Sequence, residues 1–296
     1  MICNRIRFKN GSIYATVGLA GVCLAGYLIA PLACASPEEP ERPIRGHAIF
    51  TVAESKRLIA RGVASMPLVE KALRDGMVIV CRGTTNTYVA EELLGRTVPH
   101  GAFVLGRVSP EKGGRPLPEV ARLGEVIFVK GEYQPELTFD EALERLTPGD
   151  VIIKGGNALD YARKTVGVWV GSPTGGTTGK IMPHVTAGRA HLVIPVGLEK
   201  QVAGPVADIA EKINAPAELL ASQSALPRMK LLPGQIVTEI EAMQILADVE
   251  AFQASAGGIG GAEGAVWLVW EGPRDKVEKA RQIAEDVHGE PPFGSR

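Results

Sequence analysis

The chain has 296 residues and a mass of 31.3 kDa, and it is 45% hydrophobic, 22% charged and 5% aromatic. Those figures exclude a disordered chain, a collagen-like repeat and a many-span transporter. Thirty-two Lys and Arg against 33 Asp and Glu leave a net charge of -1, so there is no electrostatic pull toward nucleic acid.

Asn10 to Pro37 carries no charged residue, with Arg5, Arg7 and Lys9 before it and Glu38, Glu39 and Glu41 after it. This pattern predicts a signal peptide or membrane anchor over residues 1–36 with its N-terminus inside, and membrane attachment through residues 10–37. Ala33-Cys34-Ala35 fits a small-x-small cleavage site. The body is then membrane-anchored or exported; a start codon set too far upstream is the alternative and would leave it cytoplasmic. Residues 37–46 read as a solvated linker. Cys81 is the only cysteine beyond the leader, so the body has no internal disulfide.

Helices are predicted over Glu54–Ser65 and Pro67–Arg74, then a strand over Met77–Cys81, a helix over Tyr88–Leu94 and a strand over Glu125–Val129. Thr138 and Glu141 form a capping box ahead of Phe139, Ala142, Leu143 and Leu146 at helical spacing, and Pro148-Gly149 ends that helix. Strands follow at Val151–Ile153, Val166–Val170 and Leu192–Val196, then an amphipathic helix around Val206–Ile213. Short, uniformly apolar strands separated by helices predict an α/β domain over residues 47–230, its mainly parallel sheet covered by helices on both faces. From about Leu231 a β-α-β-β-α order suggests a small α+β unit, ferredoxin-like in outline, over residues 231–296.

Two segments carry the chemistry. Arg82-Gly83-Thr84-Thr85-Asn86-Thr87 lies between a buried strand and a helix. Free amides, the helix dipole, Gly83 and the Arg82 guanidinium together suit an anion there. Alternatively, Asn86 or Thr87 only caps the helix. Lys154-Gly155-Gly156-Asn157-Ala158-Leu159-Asp160 leaves a second strand at its carboxyl end, where open α/β sheets bind ligands. Lys154 and Asp160 are the candidate catalytic pair; the alternative is a turn with a solvated lysine.

A third segment, Gly171 to Lys180, fails as a Walker A loop, because Thr174 stands for the first Gly and Ile181 for the Mg²⁺-binding hydroxyl. Thr174, Gly175, Gly176 and Thr177 remain as a donor-rich loop able to close over an anion, or as a plain connector. Ala256 to Gly264 precedes a strand, which excludes a dinucleotide fingerprint and favours a hairpin connection. His47, His100, His184, His191 and His288 lack metal-ligand spacing, so neither a metal nor a cofactor is expected.

The turn Arg82–Thr87 followed by the strand end Lys154–Asp160 resembles the superfamily of ribose-5-phosphate isomerase A, glucosamine-6-phosphate deaminase and the CoA transferases, over residues 50–202. The resemblance implies phosphate binding by Gly83, Thr84, Thr85 and Asn86. Val151 to Gly156 looks like the isomerase's lysine–glycine strand end, and Asn157 to Asp160 is similar to a turn of the sugar-phosphate-sensing regulators. The isomerase's paired-acid segment and the CoA-transferase glutamate have no counterpart, and the C-terminal unit matches none of these relatives. The expected function is binding, and transformation, of a small phosphorylated or CoA-linked anion by an isomerase- or transferase-like enzyme. Lys154 would stabilise an oxyanion and Asp160 would move the proton. One alternative is a non-catalytic sensor whose C-terminal unit transmits a signal or builds a homo-oligomer. The other is an exported or anchored structural protein.

Overall fold

The computed structural model describes residues 43–295, apart from 107, 111, 113–116, 118 and 221–225. The leader and the first part of the expected linker lie outside the described residues. Among the described residues no helix is long and apolar enough to cross a membrane.

In chain order the elements begin with β1 (Ile44–Phe50), α1 (Val52–Ala64), α2 (Pro67–Asp75), β2 (Met77–Val80) and α3 (Thr84–Leu94). Then come β3 (Val126–Val129), β4 (Glu132–Tyr133), α4 (Phe139–Glu144), β5 (Val151–Ile153), β6 (Ala158–Asp160), β7 (Thr165–Val170) and α5 (Gly176–Thr186). The remainder is β8 (His191–Pro195), a 3-10 turn at Leu198–Lys200, α6 (Val206–Asn214), β9 (Arg228–Leu232), β10 (Gln235–Val237), α7 (Glu239–Ala247), β11 (Glu250–Ala256), β12 (Val266–Gly272) and α8 (Arg274–Val287).

These strands form a mixed α/β fold around a six-stranded sheet of order β10-β8-β5-β2-β3-β4. β10, β8, β5 and β2 run parallel, while β3 and β4 are antiparallel additions at one edge. Every residue of β2 and β5 is buried, as strands covered on both faces require. The sheet is therefore mixed rather than mainly parallel. β7, which its apolar run suggested as a further parallel strand, instead pairs antiparallel with β6 and β9 in a separate three-stranded sheet. Run length and hydrophobicity do not distinguish the two settings.

The C-terminal elements follow the expected order but divide between two sheets. β10 extends the main sheet beside β8, whereas β11 and β12 make an antiparallel sheet with β1. A ferredoxin-like unit would hold its strands in one sheet of its own. The expected boundary at Leu231 falls inside β9, and β1 begins at Ile44, within the stretch read as linker. Gly257 to Gly264 connects the antiparallel pair β11–β12 as a hairpin. Trp267 and Trp270 face opposite sides of β12, 40% and 0% exposed, as their spacing requires.

α1 is central to the packing. Thr51 caps it in a reciprocal box with Glu54, and the helix packs against α3, α7 and α8. Ala53 to Ala60 is buried without a break, including Glu54, Lys56 and Arg57. Buried charge requires partners. Glu54 accepts from the Thr51 and Gly289 amides, both at 2.8 Å. Arg57 lies 4.7 Å over the Tyr88 ring and binds Glu91 at 2.5 Å, Glu92 at 2.8 Å and Glu290 at 2.9 Å. Burial opposes its charge, yet Glu290, Glu91 and Glu92 hold the guanidinium protonated more firmly than usual. Lys56 lies 5.8 Å over the Phe293 ring but forms no salt bridge among the described residues.

Candidate functional site

The four parallel strands end on one side, and polar residues follow each end within a few positions. β2 is followed by Cys81, Arg82 and Gly83, β5 by Lys154 and Gly155, β8 by Gly197 to Lys200, and β10 by Thr238 and Glu239. α3 starts at Thr84, one turn earlier than expected, so Thr84, Thr85, Asn86 and Thr87 form its first turn. Gly83 is the N-cap and supplies no side-chain cap, and no acidic residue stands in the first turn. Asn86 and Thr87 therefore do not cap the helix. Thr87 instead returns both its amide and its hydroxyl to the Gly83 carbonyl, at 2.8 and 2.9 Å.

Asn86 joins this turn to the neighbouring strand. Its Nδ2 donates to the carbonyls of Cys81 at 2.7 Å and Ile153 at 3.1 Å, while its Oδ1, buried, has no partner among the described residues. A methyl group added at Gly155 would stand 3.7 Å from that oxygen. The α3 N-terminus and the start of the Lys154 segment thus share one corner.

Lys154 and Lys200 meet there, with Lys56 close to Lys200. Lys154 Nζ lies 3.4 Å from the Gly155 carbonyl, and Lys200 Nζ donates to the Gly156 carbonyl at 2.9 Å. Lys56, 8% exposed, enters from α1. None of the three forms a salt bridge among the described residues. Burial pushes the Lys56 ammonium down to about 8, with Glu199 and Glu239 opposing and Lys200 reinforcing. Burial also lowers Lys154, which feels only the Cys81 thiol and the repulsion of Lys200. Lys200 is lowered by burial against the support of Glu199 and Glu239. Cys81 is no counter-ion, because burial pushes its thiol up to about 12.

Glu239, at the first position of α7, is 0% exposed. Its Oε2 accepts the Leu198 amide at 2.9 Å, and its own amide and the Ser55 hydroxyl also favour the charged form. Burial raises this carboxyl to about 7, although the Leu198 amide favours its charged form. The corner therefore holds excess positive potential together with groups that change protonation near neutrality.

The other sequence-selected residues divide clearly. Arg82 turns to Glu125 at 3.2 Å. Asp160 accepts from the Arg163 amide at 3.1 Å and pairs with its guanidinium at 3.2 Å, so its carboxylate is engaged away from Lys154. Asn157 exchanges hydrogen bonds with Trp169 and Gly167 of β7. A methyl at Gly156 would fall 2.2 Å from Val166 Cγ1, so that glycine admits β7 rather than a ligand. Thr174 and Gly175 precede α5, and Gly176 and Thr177 open it. Gly175 borders a separate apolar cavity of about 450 Å³ lined by Val170, Met182 and Met229.

Sequence reading missed Lys56, Lys200 and Glu239. Lys56 shares the face of Ile59, Ala60 and Val63, at i, i+3, i+4 and i+7, and that signal could have marked it as buried. Glu239 opens the helix that follows β10, and Lys200 ends the 3-10 turn after β8, so neither sits directly at a strand end as Lys154 does. Among the described residues no group of His, Cys, Asp and Glu is placed to hold a metal ion. The chain matches no family model, no curated protein and no solved structure.

Proposed function

We propose that the chain binds, and transforms, a small anionic metabolite at the carboxyl edge of its parallel strands. The phosphorylated or CoA-linked class is the one intended, in an isomerase- or transferase-like reaction. The observation that carries this reading is that Lys154 and Lys200 reach the carbonyls of Gly155 and Gly156 beside the uncapped N-terminus of α3, with Lys56 close to Lys200, and that none of the three forms a salt bridge among the described residues. Three clustered cations with lowered proton affinity are destabilising unless an anion joins them. The first-turn amides of α3 add donors and the positive end of a dipole. Asn86 Oδ1 offers an acceptor to a hydroxyl or amide of the same ligand. The proton-handling role expected of Asp160 passes to Glu239, whose carboxyl supports the charge of Lys56 and Lys200.

Calorimetric titration with inorganic phosphate, pyrophosphate and acetyl-CoA tests the reading. At least one should bind, and Lys200→Met should weaken it by at least about tenfold, or 1.4 kcal/mol. Gly83→Val should do the same while leaving the fold intact, because Gly83 has an extended φ of 171° and a Cβ there meets Asn86 only at 3.8 Å. No binding by the folded wild-type chain would overturn the proposal. Binding without turnover of any candidate sugar phosphate or acyl-CoA would turn it into a sensor.

A further inference from the structure

We propose that the cavity between α5 and the β7–β9 pair is a second binding site, and that its ligand is a fatty carboxylate of medium chain length. The site is built from residues outside the lysine corner, and the inference does not rest on the reading of that corner.

The cavity measures about 450 Å³. Packed interiors leave few voids larger than a water molecule, and small-molecule sites begin at roughly 300 Å³. Val170 and Met182 make its wall apolar, and the flexible thioether of Met182 can follow the shape of an inserted chain. In the antiparallel pair, Val170 lies opposite Arg228 and Val168 opposite Lys230, so both cations stand on the face that carries Val170. Both are exposed although they line the cavity. Their methylene stems extend the apolar wall while their charged ends stand in water at its mouth. Neither forms a salt bridge among the described residues, and no acid is among the lining residues. Arg228 donates to the Asn214 carbonyl, and the Asn214 side chain in turn holds the Met229 carbonyl and amide at 2.8 and 2.9 Å, which fixes this edge of β9.

α5 brings polar groups to the same cavity. Gly175 is its N-cap, with no side-chain cap and no acid in the first turn. Thr178 belongs to that turn, lines the cavity and is only 5% exposed, and its hydroxyl has no hydrogen-bond partner among the described residues. A buried donor in an apolar wall calls for an acceptor. A carboxylate at the first turn would take the Thr178 hydroxyl, the positive end of the α5 dipole and the charge of Arg228 and Lys230. Its acyl chain would then run along Val170 and Met182. A wholly apolar ligand would leave the hydroxyl and both cations unused, and a small anion would leave the apolar wall uncovered. The two mismatches together select an anion with a hydrocarbon tail.

Calorimetric titration of the full-length chain with decanoate, decanol and acetate, each kept below micellar concentration, tests this. Decanoate should bind at least about tenfold more tightly than either control. Replacing Arg228→Met and Lys230→Met together keeps the stems and removes the charge, so decanoate should fall to the level of decanol. A decanoate with a terminal diazirine reads the position directly: on irradiation it should label α5 and β7 around Met182 and Val170, as mapped by peptide mass spectrometry. Met182→Trp, which fills the cavity, should abolish that label. Equal affinity for decanoate and decanol, or no binding of decanoate, overturns the inference. Label that falls mainly outside the cavity, for example within residues 10–37, overturns it as well, and this readout on the wild-type chain does not depend on whether a variant folds.

Discussion

Glu239 and Lys56 depart from their ordinary protonation in opposite senses, and both departures penalise charge. The folded chain binds a proton at Glu239 up to about pH 7 rather than 4.5. Its contribution to stability is therefore full below 4.5 and is lost as pH rises through about 7. Lys56 releases its proton near 8 rather than 10.5. Its penalty is full below 8 and is relieved as pH climbs toward 10.5. The cluster alone should give a stability minimum between about pH 7 and 8, at the crossing of the two values. Denaturant unfolding of wild type and Glu239→Gln across pH 5–8 checks the first limb. Wild type should lose on the order of 2 kcal/mol more than the variant over that interval. Parallel curves would mean that the carboxyl titrates as if in water. Lys56→Met should flatten the limb between pH 8 and 10. Lys154 was legible in the sequence because three buried residues carry the chain straight to it. Lys56 went unread although its place on the apolar face of α1 with Ile59, Ala60 and Val63 marks it as buried, because its charge alone suggests the solvated face.

At the scale of elements, α1 and α7 approach so closely that a Cβ on Gly62 would sit 2.6 Å from Ala242 Cβ and 2.7 Å from its Cα. Alanine is the better helix former by about 1 kcal/mol. Gly62→Ala should nevertheless destabilise the fold by about 1–3 kcal/mol, since the clash is with backbone that cannot swing aside. Urea midpoints should show this loss, and adding Ala242→Gly should recover part of it; a stabilised single variant would refute the packing argument. The elements that were readable are those with their own punctuation. The Thr138–Glu141 box starts α4 as expected, but the helix ends at Glu144, before Leu146 and the Pro148-Gly149 stop. α5 was unreadable for the opposite reason. Gly175 and Gly176 take positive φ, and a Cβ at Gly179 would strike the Thr174 carbonyl at 2.4 Å. Glycines that read as a loop are here what lets a helix start tightly, with Thr178 and Ile181 turned into the core.

At the scale of the whole molecule, the last quarter of the chain completes what the first begins. Residues beyond 230 supply β10 to the main sheet, β12 as the partner of β1, α7 against α1, Glu239 to the lysine corner and Glu290 to Arg57. A chain ending at Lys230 should therefore lose cooperative unfolding and expose apolar surface to a dye such as ANS. A truncated chain that melts in one sharp transition would show that residues 43–230 suffice. This interdependence was hidden in the sequence because local patterns name strands but not their partners.

The pairing of β1 with β12 also bears on synthesis. Phe50 lies opposite Val266, so more than two hundred residues separate partners in adjacent strands. At the ribosome's rate of about 5–20 residues per second, the first described strand waits roughly 10–40 s for the strand that receives it. Throughout that interval Ile49 and Phe50 lie on an open strand edge that any other nascent strand could occupy. Closure of this ladder is a late event that no local folding can hasten. The growing chain is thus most open to aggregation just before β12 emerges.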